Sequence, residues 1–194
     1  MEKSRLFYTV SGKYVNPFEL KDSDIDITDI AHALAYTCRF NGHADLFYSV
    51  AQHSVLVSDF TVLELSDAEL ELELWGLLHD AAEAYLGDVI SPFKHTVLLK
   101  DTDGSTISYA VLERRIMAVI ATKYGLDPVE PFEVRRADAA LTEAEGWQLQ
   151  ARSNRDEKWM PADRTYLGFI NPVGPLEAKN MFLTRFRMLG GGRV

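Results

Sequence analysis

Apolar positions recur at three-to-four spacing along most of the chain, the signature of amphipathic helices. From Asp26 onward Ile27, Ile30, Ala31, Leu34, Ala35 and Cys38 follow that interval, with Asp26 or Thr28 as N-cap and Gly42 as the break. A second helix is predicted from Tyr48 to about Leu63, with Val50, His53, Val57 and Phe60 along one side. Ser66 and Glu69 have the spacing of a capping box ahead of a third helix that runs to Gly87. Its opening residues alternate as a strand would. Leu70, Leu74, Leu77, Leu78 and the length of the segment decide for helix. Further helices are predicted at SPFKH, across ISYAVLERRIMAVIATKYG, after Asp127 or Pro131, and over PLEAKNMFLTRFRML. Residues 1–25 alternate weakly around Gly12 and read as a two-stranded flap, whereas KDTDGST reads as a polar loop and 152–175 as irregular. The sum is an all-α bundle, one domain over 1–194 with an N-terminal flap and a C-terminal extension over 152–194.

Composition narrows the class. In 194 residues there are 20 Lys+Arg against 29 Asp+Glu, a formal charge of -9, which excludes a protein that coats duplex through a basic stripe. The 47% hydrophobic content suffices for a sizeable core. Cys38 is the only cysteine, so no intrachain disulfide forms. No apolar run is long enough to span a bilayer, and MEKSRLFYTV lacks an apolar region of a signal peptide. The expectation is a cytoplasmic chain with neither nucleic acid nor membrane as partner.

Candidate chemistry gathers around one doublet. His79 and Asp80 stand side by side in an otherwise apolar, alanine-rich helix; Glu83 lies close to the same face, and Asp88 follows Gly87. Carboxylates near an apolar core are costly unless they are paired or hold a metal. His53, on the inward side of its helix, and Asp138, flanked by alanines, complete a set of two imidazoles and two carboxylates. Such a set suits a divalent cation such as Zn, Mn, Co or Fe. Taken singly, each of these residues has a structural explanation. His53 alone fits a core histidine, Asp138 beside Arg135 and Arg136 fits a surface ion pair, and Glu83 fits a solvated helix carboxylate. His32 reads as structural, Glu69, Glu71 and Glu73 as a solvated face, and Phe47, Tyr48, Val50, Val57 and Trp75 as core. His43 and His95 could cap a helix or face a pocket.

The arrangement His53, His79-Asp80, Asp138 resembles the H…HD…D signature of the HD-domain metal-dependent phosphohydrolases. The strings CRFNGHADLFYSVAQHSVLVS and LLHDAAEAYLGDVISPFKH are similar to those of the small HD nucleotidases, over roughly residues 11–145. The resemblance implies that His53, His79, Asp80 and Asp138 hold a divalent metal (Zn, Co, Mn, Mg or Fe). It implies that Glu83 and Asp88 handle the attacking water and the leaving oxygen. Arg39, Phe40 and Lys94 would contact the nucleotide, with Tyr85 and His43 as further substrate-side candidates. The implied activity is hydrolysis of deoxynucleotides by water. The flap ahead of the first helix leans this towards a dATP or dNTP triphosphohydrolase releasing triphosphate, with a 5′-deoxynucleotidase as the alternative and a catalytically silent nucleotide-binding domain as a third reading. A homo-oligomer, dimer or hexamer, is implied as well.

Overall fold

The weak N-terminal alternation folds as an antiparallel hairpin, β1 (Phe7–Tyr8) and β2 (Tyr14–Val15), in which Phe7 opposes Val15 and Tyr8 opposes Tyr14. Gly12 takes φ 84° in the turn, a conformation that favours glycine. This comes from a computed structural model, which describes residues 6–64, 70–94, 96–150 and 168–191. The buried Asp29 carboxylate accepts the Ser11 N–H and hydroxyl, both at 2.7 Å, and so fastens the hairpin to the first helix.

That helix, α1 (Ile27–Tyr36), starts where the sequence predicts, its N-cap Asp26 accepting the Thr28 N–H at 2.9 Å. It ends sooner than Cys38. Thr37 and Cys38 are extended, and Cys38 pairs with Ser49: Arg39 N–H donates to Tyr48 O at 2.9 Å and Val50 N–H to Thr37 O at 3.0 Å. The segment between carries Phe40 and Asn41 at φ 54° and 52°. Two successive non-glycine residues in the left-handed region are an unfavourable local choice that the surrounding pairing must hold in place.

The centre of the molecule is α2 (Val50–Glu64), which packs against α3 (Leu70–Leu78), α7 (Phe132–Leu149) and α8 (Pro175–Met188), while α1 lies on α8. Gly76 permits a close approach of α3 to α2. A Cβ there would stand 3.0 Å from Ser58 Cα and 3.2 Å from Ser58 N, in the wall of α2. Gly76→Val should therefore force α3 away from α2 at a cost of about 1–3 kcal/mol, read as a lower urea midpoint. An unchanged midpoint would show that the approach is not tight.

The helix predicted to run to Gly87 is interrupted. After Leu78 the chain makes successive turns through His79–Ala82 before α4 (Glu83–Leu86). The His79 ring supplies the reason: its Nδ1 donates to Gly76 O at 2.8 Å, capping a carbonyl at the end of the helix. Beyond α4 come α5 (Ser91–Lys94), β3 (Leu98–Lys100), β4 (Thr106–Ser108) and α6 (Tyr109–Lys123). The polar loop around Gly104 is thus the tip of a second hairpin, with Leu99 opposite Ile107 and Asp101 N–H on Ser105 O at 3.0 Å. Short strands of this kind carry too little periodicity to be read locally.

Two side-chain expectations change. Glu73 is not on a solvated face: it is buried and receives Arg185 of α8 at 2.8 Å, so the alternation of ELELEL conceals an interhelical ion pair. Phe47, expected in the core, is 37% exposed. Trp75 is core, 2% exposed, with its indole N–H on Asp127 O at 3.1 Å. The Ser66–Glu69 capping box, His95 and most of the stretch 152–175 lie outside the described residues; of the described part, 168–174 has no helix or strand and Pro175 opens α8. Among the described residues no helix is long and apolar enough to cross a membrane.

Candidate metal centre

Three separate elements bring the predicted ligands together. His53 comes from the first turns of α2 and is fully buried, His79 and Asp80 come from the turn after α3, and Asp138 from α7. The Nε2 atoms of His53 and His79 are 3.3 Å apart. Asp80 Oδ2 stands 3.3 Å from His79 Nε2 and 3.9 Å from His53 Nε2. Asp138 Oδ1 stands 3.0 Å from His53 Nε2 and 3.8 Å from His79 Nε2. His53, His79 and Asp80 form a cluster of metal-ligating atoms all within 4.8 Å of one another.

The donor chemistry fits a divalent cation. His53 Nδ1 donates to Glu145 Oε1 at 2.7 Å and His79 Nδ1 donates to Gly76 O at 2.8 Å. With Nδ1 committed as a donor on both rings, the two Nε2 atoms face one another and two carboxylates. Such a meeting calls for positive charge among them, a proton in the metal-free protein or a divalent ion in its place. Donors about 2.0–2.2 Å from one tetrahedral ion stand about 3.3 Å apart. The separations here, from 3.0 to 3.9 Å, bracket that figure.

Electrostatics give the same answer. Burial works against a charge on His79, but the Asp80 carboxylate beside it prevails and lifts the imidazole to about 10. Burial likewise opposes the charge of Asp138, and its hydrogen bond from His53 and the charge of His79 bring it down to about 2. Asp80 is held well below the carboxylate range, burial being overcome by His79, His53 and Arg39. In the metal-free protein a proton therefore sits on His79, and its contribution to stability is full below about pH 6.5 and disappears as the pH rises through about 10. A metal needs the neutral ring, so binding must expel that proton. Affinity for Co²⁺ should tighten about tenfold per pH unit between about pH 6.5 and 8.5, with about one proton released per ion. Calorimetry in buffers of different ionisation enthalpy measures both. A pH-independent affinity would count against His79 as a ligand.

Around this centre, Glu83 is buried, with Oε1 on Lys94 Nζ at 3.1 Å and Oε2 buried without a hydrogen-bond partner. Burial and the neighbouring Asp80 charge hold its carboxyl well above the usual range, against the pull of Lys94. Lys94 also pairs with Glu113 Oε1 of α6 at 2.8 Å. Asp88 is half-buried; burial raises its carboxyl and the Arg39 charge opposes this. Arg39 packs its guanidinium over the Phe40 ring, 5.4 Å from the centroid. Of the two further substrate-side candidates, one faces solvent and the other a separate cavity. His43 is exposed just past the Phe40–Gly42 turn. Tyr85 turns to the opposite side of α4, where with Tyr8, Asp29, His32 and Ala84 it lines a separate cavity of about 330 Å³.

Sequence reading misses the residue that ties the centre together. Glu145 is 0% exposed and receives His53 Nδ1, the Tyr48 hydroxyl at 2.5 Å and, as an ion pair, Arg39 Nε at 3.0 Å. Burial opposes its charge, and His53 and Arg39 keep its carboxyl below the usual range. Asp138, Thr142 and Glu145 follow one another at i, i+4 and i+7, a polar stripe on α7 that helical periodicity could have exposed.

The fold and this centre define an all-α protein with a buried His–His–Asp cluster able to hold a divalent metal, the makings of a metal-dependent catalytic site. The chain belongs to the same family as the uncharacterized protein YfdR of Escherichia coli K12, with 38% identity over 185 residues, 93% of each chain. An uncharacterized protein of Rhodobacter capsulatus is 36% identical over 166 residues, covering 84% of this chain and 80% of that protein. No family model matches the chain.

Proposed function

We propose that the protein is a metal-dependent phosphohydrolase of deoxynucleotides. The observation that carries the reading is the convergence of two imidazole Nε2 atoms, each with Nδ1 already committed, on the Asp80 and Asp138 carboxylates. His53, His79, Asp80 and Asp138 would hold the ion. When bound, a divalent cation polarises a phosphoryl oxygen and brings the pKa of water towards neutrality.

The chain's own residues supply the rest. Water is the nucleophile in this reading: its oxygen joins phosphorus as the bond from phosphorus to the leaving oxygen breaks. Glu83, with one oxygen unpartnered, and the half-buried Asp88 would take the proton from water and return one to the leaving oxygen. Cys38 sits in the short backbone pairing with Ser49, not in a nucleophile–base arrangement. Lys94, at the edge of the centre, offsets charge on the phosphate.

Charge bears on the choice of substrate. Asp80, Asp138, Glu83, Asp88 and Glu130 all lie at or near the centre. Among the described residues, the cations that accompany them most closely, Arg39 and Lys94, are already paired with carboxylates. A single phosphate asks less of such a surrounding than a triphosphate does. This favours the 5′-deoxynucleotidase over the dATP or dNTP triphosphohydrolase to which the sequence resemblance leans.

A nucleotide panel with Mn²⁺ or Co²⁺ tests both. Orthophosphate from dAMP, with dATP left intact, is the expected result. Deoxynucleoside and tripolyphosphate from dATP would restore the triphosphohydrolase. Metal and nucleotide binding with no turnover would leave a binding domain. The reading includes a homo-oligomeric assembly, dimer or hexamer, which sedimentation measures directly.

A further inference from the structure

We infer that Glu145 and Arg39 form a positioning pair for the metal centre, Glu145 setting the ring and tautomer of His53 and Arg39 holding the carboxylates that face it. The inference deepens the metal-centre reading and rests on it.

A carboxylate with no exposure is stable only where its partners replace water. Glu145 has three, each from a different part of the chain: Tyr48 ahead of α2, His53 within α2, and Arg39 from the left-handed turn. A carboxylate behind a ligand histidine fixes which nitrogen carries the proton and raises the basicity of the other. Here it leaves His53 Nε2 as the nitrogen that faces the centre, directed at His79 and Asp138.

Arg39 extends the same control. Its Nε faces Glu145 Oε2 at 3.0 Å as an ion pair without hydrogen-bond geometry, one terminal nitrogen donates to Thr142 Oγ1 at 2.9 Å, and the other stands 3.6 Å from Asp80 Oδ2. Thr142 in turn donates to Asp138 Oδ1 at 3.1 Å. One guanidinium thus reaches His53, Asp80 and Asp138, directly or through a single intervening side chain. All three of its nitrogens face protein oxygens, which is the posture of a group that organises the site. The rigid planar fork makes such a three-way fit possible, and a lysine could not reproduce it. The unfavourable Phe40–Asn41 backbone has its explanation here, because that turn follows directly on Arg39 and places the Phe40 ring under its charge.

The test is Co²⁺ affinity, measured by titration calorimetry on the full chain without nucleotide. Glu145→Gln and Arg39→Met should each weaken binding by about 10–100-fold, the usual effect of removing a group behind a metal ligand. The double variant should be little worse than either single one, because both remove one unit. Tyr48→Phe takes away only one donor to Glu145 and keeps the packing, so it should cost a smaller part of the affinity even if Glu145→Gln folds poorly. Unfolding midpoints of the metal-free variants separate lost affinity from lost fold. Wild-type affinity in folded Glu145→Gln or in Tyr48→Phe would overturn the role of Glu145. A raised nucleotide KM with unchanged Co²⁺ affinity in Arg39→Met would overturn the role of Arg39 and make it a substrate ligand. If the wild-type protein binds no Co²⁺ at all, the metal centre itself is wrong, an outcome distinct from both.

Discussion

Asp80→Ala is expected to leave the protein without its bound divalent cation and, with it, without measurable phosphate release, because the ion supplies the principal electrostatic stabilisation and the activated water. Asp80 Oδ2 is the oxygen that stands near both imidazoles, and Arg39 reaches it from behind. Without that carboxylate, the pairing that lifts His79 to about 10 is gone as well, so neither a proton nor a metal is held as firmly. Elemental analysis after gel filtration and a phosphate assay report the two effects separately. Stoichiometric metal with normal turnover would remove Asp80 from the centre and undo the reading of every residue around it.

Glu83→Gln should have the second-largest effect, and of a different kind. The substitution conserves volume on α4 but cannot hold or move a proton, so the rate should drop by about 10²–10⁴ while metal content stays that of the wild type. The variant also removes the charge that Lys94 shares with Glu113, so the Lys94 ammonium loses part of what stabilises it. Burial and Asp80 hold the Glu83 carboxyl above its ordinary value, and the acid limb of the pH–rate profile should accordingly lie above the ordinary glutamate range. That limb should vanish in Glu83→Gln. If Glu83→Gln keeps its rate and Asp88→Asn loses it, the proton acceptor is Asp88.

Much of this centre was legible before any coordinates. The four candidate ligands are short strings of unusual composition: an imidazole and a carboxylate adjacent within an alanine-rich apolar run, a histidine on an apolar helix face, an aspartate between alanines. Polar groups in such places demand a reason, and metal ligation is a common one. Glu145 escaped notice because its neighbourhood, TEAEG, looks like an ordinary solvated helix. Only the burial of that side of α7 against α2 turns it into a fully enclosed carboxylate. Glu73 looks solvated in the sequence for the same reason, its partner Arg185 lying 112 residues further along the chain.

Tyr85 shows the complementary case. A continuous helix would have carried it two residues beyond Glu83 at an angle open to several readings. The turn through His79–Ala82 settles the matter by sending Glu83 to the metal side and Tyr85 to the cavity behind. The break arises because the His79 ring takes the Gly76 carbonyl, a competition between side chain and backbone that no periodicity records.

By itself, then, the amino-acid order determined the helices, their caps and the residue types able to hold a cation, because these depend on spacing within a few turns of chain. Tertiary structure decided which of the charged groups are sealed from water, where the helix bends at the doublet, and that Arg39 points inward to Glu145, Thr142 and Asp80. The physical reason is that periodicity states which face of a helix is buried, whereas the partner waiting on the other side is contributed by residues that meet it only when the chain has packed.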